Sequence, residues 1–172
     1  MNPWRAAKSY VLVLSFFICV ANARADCTIG KTMQYSDIEA IRYVRSACYG
    51  TCTNYEVLYS RLGNYYVGRD HVKKLGTYQG IDSAPLKDAT ALLRQQRFFE
   101  FHFEPIMVTD VPHYIVAVQR CGVTTKLDWP AYSRNPKIER LFDSLDNITN
   151  RVDWHKRADG DESPRGLLAS IP

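Results

Sequence analysis

The sequence predicts an α+β fold: an antiparallel sheet of about six strands, a meander plus a hairpin, with two helices packed on one face. Three observations carry this. Alternating segments between positions 38 and 75 give the meander, β-branched and aromatic runs on either side of Cys121 and Gly122 give the hairpin, and two stretches of helical spacing have proline in the first turn.

The strands come first. Ile38, Ala40, Arg42 and Val44 alternate with Glu39, Ile41, Tyr43 and Arg45 in a mixed strand pattern, and Tyr55, Val57 and Tyr59 share one face of a second strand opposite Glu56 and Ser60. Leu62, Gly63 and Asn64 make a turn, Tyr65 to Val67 begin the return strand, and a short strand covers His71 to Leu75 before Gly76 breaks the run. Ser83 is the N-cap of a helix over 84–96, with Pro85 in its first turn. Phe99, Phe101 and Phe103 then alternate with Glu100, His102 and Glu104 as an extended segment with aromatics inward. Tyr114 to Gln119 and Val123 to Trp129 form the hairpin, with Cys121 at its tip. In the second helix Asn135 caps, Pro136 leads, and Ile138, Leu141, Phe142, Leu145, Ile148 and Val152 make one apolar stripe.

Organisation follows from the ends. Residues 1–25 have the parts of a secretory signal: Arg5 and Lys8, the apolar run Val11 to Ala21, and small residues at Ala23 and Ala25. That run is too short for a bilayer-spanning helix of about 20 residues. The expectation is an exported, periplasmic or secreted protein with no stable membrane anchor after cleavage. Residues 26–154 form a single domain. Residues 155–172, with His155, Lys156, Arg157, Asp159, Asp161 and Glu162, form a polar disordered tail that cannot bury enough surface to order itself.

Charge narrows the partners. Of 22 basic residues, Arg5, Lys8 and Arg24 fall in the leader, leaving 19 against 18 acidic residues and a mature net charge of +1. A near-neutral, dispersed surface is not the footprint of a phosphate-backbone binder, so nucleic acid is excluded as the expected partner. The remaining expectation is an envelope or extracellular ligand.

Cysteine usage points the same way. Cys19 leaves with the leader, and Cys27, Cys48, Cys52 and Cys121 enter an oxidising compartment, where two disulfides are expected in one of three pairings. Cys48 to Cys52 is the one segment with chemical potential. With His71, His102 or His113 as a distant third ligand it suits copper or thiol exchange. Low-pKa redox cysteines sit at helix N-termini, however, and Tyr55 to Tyr59 is a strand, so a structural disulfide is the favoured reading. No histidine pair has zinc-ligand spacing, and His155 lies in the tail. Asp110, beside Thr109 and before Pro112, is a turn cap rather than a binding notch. Asn147, Ile148 and Thr149 spell a glycosylation sequon within the second helix. No serine elbow, phosphate loop or marked carboxylate pair occurs, so neither a cofactor nor an enzymatic activity is expected.

The segment Arg42 to Trp154 resembles a bacterial domain of unknown function, the family numbered six-four-three-eight. Its pattern, a strand, C-x-G-x-C-P-x-Y, a Gly-turn hairpin, Thr-Asp-x-Pro, a second hairpin and a closing helix, is similar to Cys48, Gly50, Cys52 and Tyr55, then Gly63, then Thr109, Asp110 and Pro112, then Gly122, then Leu141, Leu145 and Ile148. Thr53 stands where the pattern has proline. The resemblance implies an export habit, treats Cys48 and Cys52 as a unit, and so implies Cys27 and Cys121 as the second pair. It carries no catalytic residues. Together these expectations describe a non-enzymatic exported binding domain, with a thiol-redox or copper-binding protein using Cys48 and Cys52 as the alternative.

Overall fold

A computed structural model describes residues 34–48, 50–101, 111–131 and 135–158. Within them, seven strands form one antiparallel sheet in the order β6-β5-β1-β2-β3-β4-β7. The strands are β1 (Ile38–Arg45), β2 (Asn54–Ser60), β3 (Gly63–Asp70), β4 (Gly76–Gly80), β5 (His113–Arg120), β6 (Val123–Pro130) and β7 (His155–Lys156). Helices α1 (Ala84–Gln95) and α2 (Pro136–Arg151) share one buried cluster with one face of the sheet. The α+β expectation therefore holds, with one strand more than the six foreseen.

The mixed pattern of β1 has a physical cause. Its pairing with β5 shifts register between Ile38 and Ala40. That bulge brings Ile38 into the main core with Ile41 and Tyr43, while Ala40 turns to the opposite face with Leu58 and Ala117. On that opposite face Glu56, 4 % exposed, is held by Arg42 at 2.6 Å and Arg69 at 3.0 Å. Burying a carboxylate demands such partners.

The helix starts differ in their chemistry. Asn135 caps α2, its side-chain oxygen accepting from Lys137 N at 3.0 Å and Ile138 N at 3.4 Å. Ser83 makes no such bond to α1; the side chain of Asp82 accepts from Ala84 N at 2.9 Å instead. The stripe foreseen in α2 is buried from Ile138 to Ile148. At the β5–β6 hairpin both Cys121 (φ 51°) and Gly122 (φ 73°) have positive φ, the geometry of a tight two-residue turn whose twist matches its strands.

Four expectations are corrected. His71–Leu75 is the loop between β3 and β4, not a strand, because His71 turns left-handed (φ 48°) and pairing resumes only at Gly76, opposite Gly68. The turn after β2 lies at Arg61 and Leu62, and Gly63 already pairs with Ser60. The start of the phenylalanine segment is not extended: Phe98–Glu100 is a single 3-10 turn entered through a left-handed Arg97 (φ 52°), which buries Phe98 and leaves Phe99 and Phe101 packed at the core margin. His102, Phe103 and Glu104 lie outside the described residues. Finally, the chain directly after Trp154 is not tail but strand, and residues 159–172 lie outside the described residues. Trp154 is buried and donates its indole N–H to Thr149 O at 2.8 Å, which brings His155 and Lys156 to the free edge of β4 as β7. The leader expected over residues 1–25 also lies outside the described residues, and among those described no helix is long and apolar enough to cross a membrane.

Candidate functional site

Cys48 and Cys52 are joined by a disulfide, and the loop that carries them links β1 to β2. Strand, not helix, follows Cys52, so no helix N-terminus lies next in sequence to lower a thiol pKa. Cys121 is disulfide-bonded too, while Cys27 lies outside the described residues. The three described histidines each lie beside an aspartate: His71 Nε2 is 3.5 Å from Asp70, His113 Nδ1 is 2.6 Å from Asp128, and His155 Nε2 is 3.4 Å from Asp153. Among the described residues no three His, Cys, Asp or Glu side chains gather where they could hold a metal. Thr109 and Asp110 lie outside the described residues; Pro112 O accepts from Ala131 N at 2.8 Å.

What the structure brings together at the disulfide end of the sheet is a polar cluster under α2. Antiparallel register sets Arg45 opposite Tyr55 and Tyr43 opposite Val57, which puts Tyr43, Arg45 and Tyr55 on the helix-facing side. Helix α2 stacks Phe142 on Tyr43, ring centroids 5.7 Å apart, and one turn later presents Asp146 to the same place. One Asp146 oxygen accepts from Tyr43 OH at 2.5 Å, from Arg45 Nε at 3.1 Å and from Tyr55 OH; the other accepts from Arg45 Nη2. The Arg45 guanidinium also lies 4.4 Å from the ring centre of its cross-strand neighbour Tyr114. Burial first, and then the neighbouring charges and hydroxyls, hold Tyr43 and Tyr55 well above the usual phenol range. Both are neutral donors at physiological pH.

This cluster forms the inner wall of an open groove of about 700 Å³ lined by Arg45, Thr53, Tyr55, Tyr66, Asp146 and Trp154, with Thr149 and Asn150 from α2 and His71 to Lys74 from the β3–β4 loop. Its floor is a run of rings: Tyr55 stacks on Tyr66 at 5.4 Å, and Tyr66 lies 5.6 Å from Trp154. Thr149 ties the groove floor to the core beneath, its hydroxyl 2.6 Å from the buried Tyr59 OH and its carbonyl accepting from Trp154.

Of the candidate third ligands singled out in the sequence, His71 lines this groove among the described residues, as does Tyr55 of the cysteine motif, and the Cys48–Cys52 loop borders it through Thr53. Arg45, Asp146, Lys73 and Lys74 were missed. One signal was available: Asp146 follows Phe142 by four residues and so lies at the margin of the apolar face of α2, where a carboxylate drawn towards the sheet requires donors.

A family model described as a domain of unknown function (DUF6438) matches residues 39–149. No curated protein and no solved structure matches the chain.

Proposed function

The chain belongs to the DUF6438 family, a domain of unknown function, and on that premise we propose that it is an exported, non-enzymatic binding domain that takes a small ligand in the groove between α2 and the β3–β4 loop. The observation that carries this reading is the groove itself: about 700 Å³, floored by aromatic rings and walled by polar groups held in place by hydrogen bonds. Concave sites of this size, with an apolar base and a few fixed polar groups, are where small molecules bind.

Two further features favour binding over catalysis. Asp146, the carboxylate of the lining, already accepts from Tyr43, Tyr55 and Arg45, so its lone pairs are committed to the protein. The tyrosines that face it are held above their ordinary range and keep their protons. These central groups are thus engaged with one another rather than free to act on a bound molecule. Export is supported by the leader pattern of residues 1–25 and by the oxidised Cys48–Cys52 pair.

The test is a heteronuclear NMR titration of the isotope-labelled chain from Asp26 onward with a panel of small carboxylates, phosphates, sugars and neutral aromatics. Amide shifts gathered at residues 53–55, 71–74 and 149–154 are expected for at least one chemical class. Shifts scattered over the surface, or none with any class, would overturn the reading.

A further inference from the structure

The charge of the groove does not balance, and the reason lies in the path of the β3–β4 loop. Val72 packs against the main core and anchors the loop, leaving Lys73 and Lys74 exposed on the groove lining. The other charged groups of the lining are accounted for. Arg45 and Asp146 neutralise each other through two contacts, and His71 sits beside Asp70. Among the described residues neither lysine ammonium takes part in an ion pair, although Lys74 Nζ lies 5.8 Å from the Tyr78 ring centre. Exposed lysines are ordinary on a surface. Two of them on one wall of an aromatic-floored hollow, whose lining carboxylate is already consumed, form a concave cationic site that concentrates anions.

We infer that the groove takes a ligand carrying an oxyanion, a carboxylate or a phosphate ester, on a ring-sized apolar body. The oxyanion is held by Lys73 and Lys74, with the Asn150 amide and Thr53 hydroxyl within the same lining to donate hydrogen bonds, and the apolar body lies towards Tyr66 and Trp154. This deepens the binding reading above and rests on it.

Three probes of one shape separate the terms: benzoate, phenyl phosphate and benzyl alcohol, each titrated into the labelled chain from Asp26 onward. Benzoate or phenyl phosphate is expected to shift the amides of residues 71–74 and the Trp154 indole, the stronger of the two identifying the oxyanion. Benzyl alcohol should bind more weakly. Lys73→Gln combined with Lys74→Gln should lower the affinity for the anion about tenfold and leave the alcohol unchanged, and raising the salt should act in the same direction. Equal binding of all three probes, or anion binding untouched by the double substitution, would overturn the oxyanion inference while the groove remained a binding site. Silence of the groove amides with all three probes would overturn the inference as well, and the wider panel of neutral and sugar ligands then decides the groove separately.

Discussion

The backbone carbonyl oxygen of Lys74 occupies the space where a side chain of Gly68 would begin: a Cβ built there would lie 1.8 Å from that oxygen and 2.9 Å from a Val72 methyl. Gly68 is therefore what lets the β3–β4 loop fold down onto β3 and set its lysines beside the groove. Gly68→Ala should lift the loop, costing about 1–3 kcal/mol as other overpacked substitutions do. A lower urea midpoint together with displaced amide shifts at residues 71–75 is the expected result. An unchanged midpoint would show that the loop is not seated on Gly68.

Asp146 is a keystone for Tyr43, Arg45 and Tyr55. Removing its charge by Asp146→Asn leaves the Arg45 guanidinium, 13 % exposed, without a counter-charge. Stranding one member of a largely buried pair costs about 3 kcal/mol. Chemical denaturation of the variant should show a loss of that order, and Asp143→Asn, an exposed position on the same helix, should show almost none.

Alkaline pH should expose the buried phenols. Burial above all holds Tyr43, Tyr55 and Tyr59 well above the usual phenol range and pushes Tyr66 up to about 12. In the unfolded chain they ionise near 10. A group whose folded pKa is raised keeps its full stabilising contribution below the unfolded value and loses it as pH climbs towards the folded one. Stability should therefore be insensitive to these groups up to about pH 9 and fall above pH 10, by as much as about 1.4 kcal/mol per pH unit for each. Ultraviolet phenolate titration of the native chain should leave a fraction of tyrosines silent until unfolding. A smooth titration of every tyrosine near pH 10 with the fold intact would contradict the packing described.

Those tyrosines also show how far the sequence could be read. Their alternation in β2 put Tyr55 and Tyr59 on one inward face, and the stripe from Ile138 to Ile148 gave α2 one face to lay on a sheet, because both signals are local periodicities. The groove was not legible. It depends on a close approach at Gly68, which in sequence is one glycine in a strand, and on Asp146 meeting residues about ninety or more positions away. β7 was hidden for a similar reason, since two polar residues form a strand only once Trp154 has brought them to an edge. The phenylalanine alternation misled, because the left-handed Arg97 starts a turn where the pattern suggested extended chain.

The disulfide makes a separable claim. Cys48 and Cys52 close a loop of only a few residues, so the chain-entropy contribution is modest, about 2 kcal/mol. Cys48→Ser with Cys52→Ser should lower stability by that amount and leave a folded domain. Alkylation of the native protein should find neither thiol free. Ready modification of both cysteines without reductant would remove the structural role and restore the thiol chemistry as a live reading.

The last link to test is the one that brings Trp154 to the groove floor. Gly80 of β4 lies under the segment between α2 and β7: a Cβ there would meet a Val152 methyl at 2.7 Å and Asp153 O at 3.4 Å, with the Trp154 ring at 3.6 Å. The methyl of Gly80→Ala lies too close to the Val152 methyl, so that side chain must shift and carry the segment with it, while Asp153 O stays in ordinary contact. That motion strains the indole hydrogen bond to Thr149 and the pairing of His155 with Gln79. The expected outcome is a loss of about 1–2 kcal/mol with faster hydrogen exchange at the Trp154 indole. Gly122→Asn supplies the control: nothing lies within 4 Å of a Cβ at that turn, and asparagine accepts its positive φ. If the two substitutions behaved alike, the close approach at Gly80 would not be what seats Trp154, and the groove floor would have to be held by the Tyr55–Tyr66 stack alone.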